Sequence, residues 1–265
     1  MKDQILSALS PAYPWAQHLH WFDSIGSTND EARILAQKGA PHGTVLIAGH
    51  QSGGKGRMGR SFHSPAGVGI YMTMILRPNC LPGQLMHLTC ATAVAMCDAI
   101  EQATGLRPGI KWTNDLVCGK RKLGGILTAL GLTPKGMTDY CIIGIGINCC
   151  QITEDFPEDI RDMAGSLAMV TGMPIDRASV AAAMMEALHR MDKTLLTGVD
   201  PMLDRYRQDC ITLGQDVVLI RGDEKRYGHA LTVDDAGALV VRFADGSVEA
   251  VNSGEISVRG MYGYT

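Results

Sequence analysis

Apolar residues at Ala32, Leu35 and Ala36 repeat with a helical period, in a segment that opens at Thr28, carries Glu31 three positions later and stops at Gly39. That T-x-x-E spacing predicts a short helix begun by a capping box. TVLIAGHQ (44–51) and VGIYMTMIL (68–76) are apolar runs of strand length that flank a glycine-rich loop. Leu85, Leu88, Ala91, Ala95 and Ile100 fall near one face of a helix predicted from Gln84 to Thr104. GIKWTND, KLGGILTALG and YCIIGIGIN read as further strands, the last buried on both faces, and two helices are predicted near 176–196 and 199–209. After Gly214 the texture changes to short alternating pieces, QDVVLIRG, RYGHALTV, ALVVRFA and SVEAVN, separated by turn signals such as Asp245-Gly246. These predict a small β-barrel of SH3-like size, with the chain divided into 1–212 and 213–265. The self-contained pattern of the second part predicts that it can be cut away without opening the main core.

Composition narrows the class. With 46% apolar and 19% charged residues over 265 positions, disorder and coiled coil are excluded and a packed core is expected. There is no fixed-period repeat, and no apolar stretch approaches the roughly 18 residues that span a bilayer. The eight cysteines show no C-x-x-C spacing and the chain opens without the apolar core of a signal peptide, so reduced, buried thiols in a cytoplasmic protein are expected. The net charge of -3 gives no whole-chain attraction to nucleic acid or anionic lipid. Positive charge is instead concentrated. Residues 51–62 hold Lys55, Arg57 and Arg60 with no acid, and residues 105–125 hold Arg107, Lys111, Lys120, Arg121 and Lys122 against Asp115 alone.

Glycines at 53, 54, 56 and 59 let the first loop bring its backbone N–H groups close to a ligand while the cations between them neutralise charge. This is the chemistry of a polyphosphate or carboxylate cradle, without the spacing of a P-loop; a solvated surface loop is the alternative. Asn114 and Asp115 suit either a hard cation such as Mg²⁺ or a turn between strands. Lys122 precedes Gly124-Gly125, where missing side chains would admit a ligand against the sheet, although a lone lysine is more often a surface residue. Asn148 is a polar group at the end of a buried strand, where a satisfied structural amide is the more frequent explanation. His18 and His20, two apart on one expected strand face, lack further ligands for zinc, and no serine sits in a G-x-S-x-G elbow.

In order along the chain, GSTNDEA (26–32), HQSGGKGRMGRSFHSP (50–65), KWTNDL (111–116), RKLGGIL (121–127), GIGIN (144–148) and GEISVR (254–259) resemble the motifs of biotin–protein ligases, over about residues 20–260. The resemblance implies an α+β fold: a mixed-sheet catalytic domain related to class II aminoacyl-tRNA synthetases, followed by an SH3-like domain. It implies that Ser27, Thr28, Asn29 and Gln51 bind the ureido end of biotin, and that the loop of Lys55, Gly56, Arg57 and Arg60 closes over biotin and its adenylate. Lys122, beside Gly125, is expected on the biotin carboxylate, Phe62 by the adenine, and Lys111, Asn114, Asp115 and Asn148 at the nucleotide, with Asp115 toward the metal. Arg57 and Lys122 are the residues expected to carry catalysis. ATP and Mg²⁺ are the implied cofactors, and the implied partner is a biotin carboxyl carrier protein domain. The resemblance implies that the C-terminal domain closes against the nucleotide and helps to receive the carrier, with Glu255 and Arg259 the residues to watch there. This chain has Lys55 where the family has Arg, Thr113 where it has Pro, and Phe62 where Trp is common. Only about 20 residues precede the catalytic block, so the helix-turn-helix of longer members, and their DNA binding, is not expected; nor is a membrane. The resemblance leaves monomer and homodimer both open. A lipoate–protein ligase is the nearest rival, disfavoured because a dithiolane ring offers no ureido group to the polar Ser27–Asn29 and Gln51 set. A nucleic-acid-binding module is the rival of another class. Against it, residues 215–260 carry five basic and eight acidic side chains.

Overall fold

The computed structural model describes the backbone of residues 1–252 and 257–260 and the side chains of residues 1–252. Helix α1 (Lys2–Ala8) precedes β1 (Leu19–Phe22), α2 (Thr28–Gln37), β2 (Thr44–Ala48) and β3 (Gly69–Leu76). Then come α3 (Leu88–Thr104), β4 (Gly109–Lys111), β5 (Asp115–Cys118), β6 (Arg121–Leu132) and β7 (Thr138–Asn148). The seven strands form one sheet in the order β1-β2-β3-β7-β6-β5-β4, parallel between β1 and β2 and antiparallel elsewhere. Alternation along the strands gives the sheet two apolar faces. Val45, Ile47, Met74, Ile143 and Ile145 join the large core beneath α3, while Leu46, Ile75 and Ile142 meet Ala32 and Ala36 of α2 on the other side. Burial on both faces explains why the central strands read as continuous apolar runs.

Helices α4 (Leu167–Thr171), α5 (Arg177–Thr194) and α6 (Val199–Asp209) complete the larger part, α5 packing along α3 and against α1. Beyond them β8 (Asp216–Arg221), β9 (Glu224–Val233), β10 (Leu239–Phe243), β11 (Val248–Val251) and β12 (Ser257–Gly260) form an antiparallel sheet in the order β11-β10-β9-β8-β12. Glu255 and the side chain of Arg259 lie outside the described residues.

Four features differ from the sequence reading. Ser27, not Thr28, is the N-cap of α2, and Thr28 is its first helical residue, so no capping box forms. GIKWTND is two strands joined by a turn, with a cis peptide between Trp112 and Thr113. His18 sits in a 3₁₀ turn ahead of β1, so it does not share a strand with His20. The change of texture near 212 is not a break in packing. Val217, Leu219, Val233, Leu239 and Val241 belong to the same buried cluster as the residues of α3 and β7. The indole N–H of Trp112 donates to Gly237 O at 3.0 Å across this junction, and Arg207 Nε donates to Val233 O at 2.8 Å.

Candidate active site

The cross-strand register lines up a patch of sheet with almost no side chains. Gly144 of β7 stands opposite Thr73 of β3, Gly146 opposite Tyr71, and Gly125 of β6 lies between Gly146 and Asp115 of β5. Residues paired across strands point to one face, so these three glycines share the face that α2 packs on. Each admits a side chain from elsewhere. A Cβ on Gly144 would lie 2.1 Å from Asn29 Oδ1, and one on Gly146 would lie 2.4 Å from the Phe62 ring. A Cβ on Gly125 would meet the Lys122 ammonium end at 3.5 Å. Alternating glycines in GIGIN carried this signal, since positions two apart on a strand share a face.

Above the patch is a cleft of about 750 Å³, a size suited to a ligand of drug dimensions. One end of it is polar but uncharged. Thr28 donates its N–H and its hydroxyl to Gln51 Oε1 at 2.9 and 3.0 Å, which satisfies one of the N–H groups that a helix start leaves open. Gln51 Nε2 donates to Ser64 Oγ, which in turn donates to Phe62 O. Thr73, fully buried in β3, touches both Thr28 Oγ1 and Asn29 Oδ1. Sequence reasoning passed over Thr73 and Ser64, although a threonine inside the run GIYMTMIL is a polar interruption of the kind that marks a network.

The other end is cationic. Asn114 is clamped to β6, accepting at its main-chain O from Ile126 N–H and donating from Nδ2 to Ile126 O. Its Oδ1 accepts from Arg57 at 2.8 Å. Burial pulls the Arg57 pKa down, and Asp115 partly offsets this. A guanidinium keeps its proton regardless, so the cleft holds a partly desolvated positive charge. Lys122 Nζ lies 2.7 Å from Asp115 Oδ1, and its main chain is held by Met163 O and Gly165 N–H. Lys111 is buried and also lines the cleft.

The glycine-rich loop is folded back as a tight hairpin, with a bridge between Lys55 and Ser61, Gly56 N–H donating to Arg60 O and Met58 at φ 56°. Lys55 is turned to Asp30 of α2 at 2.7 Å, which pins the loop to the helix start. Arg60 is exposed at the cleft mouth, while Phe62 packs edge-on to Tyr71 at 6.4 Å. Asn148 reaches the cleft and also donates to Gly165 O, so its ligand-facing and structural readings coexist. The structure thus gathers around one cleft every site residue predicted in the larger part: Ser27, Thr28, Asn29, Gln51, Lys55, Gly56, Arg57, Arg60, Phe62, Lys111, Asn114, Asp115, Lys122, Gly125 and Asn148. It adds a wall not foreseen from sequence, including Phe156, Ile160 and Met163, whose spacing carried no recognisable pattern. Among the described residues no group of three or more His, Cys, Asp or Glu side chains could hold a metal ion, and no helix is long and apolar enough to cross a membrane.

Comparison with known proteins gives a consistent picture. Residues 21–148 match the profile of the biotin/lipoate A/B protein ligase family, and residues 212–259 match that of the biotin protein ligase C-terminal domain. The bifunctional ligase/repressor BirA of Bacillus subtilis is 35% identical over 243 residues, covering 91% of this chain and 74% of the relative. The biotin–acetyl-CoA-carboxylase ligase of Mycobacterium tuberculosis is 29% identical over 262 residues, covering 97% of this chain and 93% of the relative. The biotin protein ligase from Aquifex aeolicus in complex with biotin and ATP superimposes with a TM-score of 0.78 at 28% identity, over 91% of this chain and 98% of that one. With a cleft built on the glycine face of a mixed sheet, a second matched domain behind it and relatives aligned along nearly its whole length, the chain belongs to the biotin protein ligase family.

Proposed function

We infer that the chain is a biotin–protein ligase, which activates biotin with ATP to biotinyl-5′-AMP and transfers the biotinyl group to one lysine of a biotin carboxyl carrier protein domain. The observation that carries this reading is the polarity of the cleft: an uncharged amide and hydroxyl set at Thr28, Asn29 and Gln51, and a cationic set at Arg57, Lys111 and Lys122. A bicyclic urea with a carboxylate tail has the same polarity.

In the first step a carboxylate oxygen of biotin attacks the α-phosphorus of ATP and pyrophosphate leaves. Two anions meet, so the cations must offset both their repulsion and the charge developing on the phosphoryl oxygens. Lys122 is assigned the biotin carboxylate. Its ammonium has three donors, enough to keep Asp115 and hold a substrate oxygen as well. Arg57 and Arg60 are assigned the phosphates, with Lys111, Asn114 and Asn148 around the nucleotide and Phe62 beside the adenine. In the second step the neutral ε-amine of the carrier lysine attacks the acyl carbon and AMP leaves. No covalent enzyme nucleophile is needed, and holding the ends in line supplies much of the acceleration.

Mg²⁺ is proposed as the counter-ion of ATP. A single carboxylate, Asp115, with substrate phosphates is a donor set that fits an ion arriving with the nucleotide better than one resident in the protein. Bound there, the ion would neutralise phosphate charge; Asp115 would hold it. We further propose a division of labour at 212/213, a cytoplasmic location, and no role in DNA binding, the last because of the acidic balance of residues 215–260.

The deciding experiment is ATP–pyrophosphate exchange with biotin and lipoate side by side. Exchange with biotin and not lipoate is expected; exchange with lipoate alone would overturn the substrate assignment. Lys122→Ala should leave folding intact while weakening biotin activation by roughly 1.5–3 kcal/mol, the worth of one hydrogen bond to a charged group. A folded Lys122→Ala protein with the parent's biotin KM and exchange rate would remove Lys122 from the site.

A further inference from the structure

We propose that Gln151 is a positioning residue: buried behind the cleft, it holds the Asn148 side chain in the arrangement that meets the nucleotide. The inference rests on the assignment of Asn148 to the nucleotide and deepens it.

Gln151 follows the end of β7 by three residues, is fully buried and is not among the residues that line the cleft. Asn148, the last residue of β7, is nearly as buried but does line it. The orientation of both amides follows from one main-chain carbonyl. Gly165 O can only accept, so the end of Asn148 that meets it at 2.9 Å is the NH₂. Turning Asn148 over would set two oxygens against each other. Its Oδ1 is thereby fixed on the side of Gln151, and an amide oxygen is met only by a donor, so the end of Gln151 that lies 3.2 Å away is its NH₂. Asn148 is thus held at both ends of its amide, by the Gly165 main chain and by Gln151. A single bond would leave the amide free to pivot about it; two do not. Gln151 is itself anchored, since its main-chain O accepts from Ser166 Oγ at 2.6 Å, and Ser166 caps α4 by accepting from Met169 N–H. The Gln151 amide contributes little to stability. Among the described residues its Oε1 has no partner, and a buried acceptor left unmet costs at least as much as one neutral hydrogen bond contributes. An apolar side chain of the same length would fill the space without that cost, so what the amide supplies is the hydrogen it gives to Asn148.

The test is Gln151→Met, which keeps the length of the side chain and loses the donor, followed by urea unfolding and by ATP–pyrophosphate exchange with biotin. Losing the bond to Asn148 and losing the unmet Oε1 offset each other, so the urea midpoint should stay within about 0.5 M of the parent's. The KM for ATP should nevertheless rise about three- to tenfold, the worth of one neutral hydrogen bond. Biotin KM should stay within about twofold of the parent's. Gln151→Glu is the rescue: burial keeps a carboxyl protonated, and its O–H can donate to Asn148 Oδ1, so at a mildly acidic pH its ATP KM should lie nearer the parent's than that of Gln151→Met. In an Asn148→Ala background the effect of Gln151→Met on ATP KM should vanish, because residues acting through one another are not additive. A Gln151→Met protein that fails to fold, or whose midpoint falls further, overturns the proposal by making Gln151 a structural residue. So does a folded one with the parental ATP KM, one in which the biotin and ATP values rise together, or a Gln151→Glu protein no better than Gln151→Met. Asn148→Ala with Gln151 intact tests the reading beneath the proposal: a parental ATP KM there removes Asn148 from the nucleotide. Exchange with lipoate alone by the unsubstituted protein refutes the biotin assignment, and that result is read without any variant.

Discussion

Arg57→Gly is expected to release activated biotin into solution. Arg57 is the link between the glycine-rich loop and the sheet: its guanidinium donates to Asn114 Oδ1, and Asn114 is fixed at both ends to Ile126. Losing that charge-assisted bond, and whatever the same guanidinium gives to the adenylate, removes roughly 1.5–3 kcal/mol. The substitution also adds a glycine to a segment that already has Gly53, Gly54, Gly56 and Gly59, which raises the entropy of the open loop by a further amount of about 0.5–1 kcal/mol. Together these predict biotinyl-AMP leaving on the order of a hundredfold faster than from the parent. The mixed anhydride is reactive towards any amine, so free adenylate should be recoverable by chromatography and bystander proteins should be labelled on scattered lysines. Lys55 should not compensate, because its ammonium is engaged with Asp30 on the outer side of the loop. Retention of the adenylate as tight as in the parent would show that the loop closes without Arg57.

How much of this was legible in the sequence depends on the range of the interaction. Strands β3 and β7 and helices α3, α5 and α6 follow from runs and periods within a few residues of each other, and they were read nearly to their ends. Thr28 was misread for an instructive reason. T-x-x-E is a local signature of a cap, but the Thr28 hydroxyl is drawn to Gln51 and Thr73, which are distant in sequence. The split of GIKWTND has a similar origin: Trp112 is held by Thr212 and Gly237, one from its main-chain N–H and the other from its indole, and neither partner is visible from within the motif. The site residues were accessible because charge and glycine are clustered in short segments. What the segments could not give was the register that brings Gly125 of β6 beside Gly144 and Gly146 of β7, or Thr73 beneath Asn29. Short α1, β1 and α4 left no periodic signal; they are held by packing, α1 on α5 and β1 on β2.

Removal of residues 214–265 should cost the remaining protein much of its stability, contrary to what the sequence texture suggests. The turn between β9 and β10 rests on the start of α3: a Cβ added to Gly237 would stand 3.0 Å from Cys90 Sγ and 3.6 Å from His87 Cα. From this turn Gly237 O accepts the indole N–H of Trp112, a ring that is only 5% exposed. Two further bonds, from Arg207 to Val233 O and to Asp235 Oδ1, tie α6 to the same region. Losing the buried Trp112 bond and the half-buried Arg207–Val233 bond takes about 1 kcal/mol each, while the surface pair is worth little. Re-exposing even about 100 Å² of the apolar surface now shared with Val217, Leu219 and Leu239 adds roughly 2.5 kcal/mol. The total approaches the whole stability of an ordinary domain at its lower bound, about 5 kcal/mol. The loss would also reach the site, because Trp112 stands between Lys111 and Asn114, both of which line the cleft. Urea unfolding of the truncated chain should therefore show a sharply lowered midpoint, and exchange should show a raised KM for ATP with biotin KM less affected. Trp112→Phe separates the two causes: it keeps the ring, loses the indole bond, and should shift stability by about 1–2 kcal/mol with a smaller rise in ATP KM. A truncated protein with the parental urea midpoint and parental ATP KM would show that the C-terminal sheet is a passenger, joined to the core but contributing nothing to it.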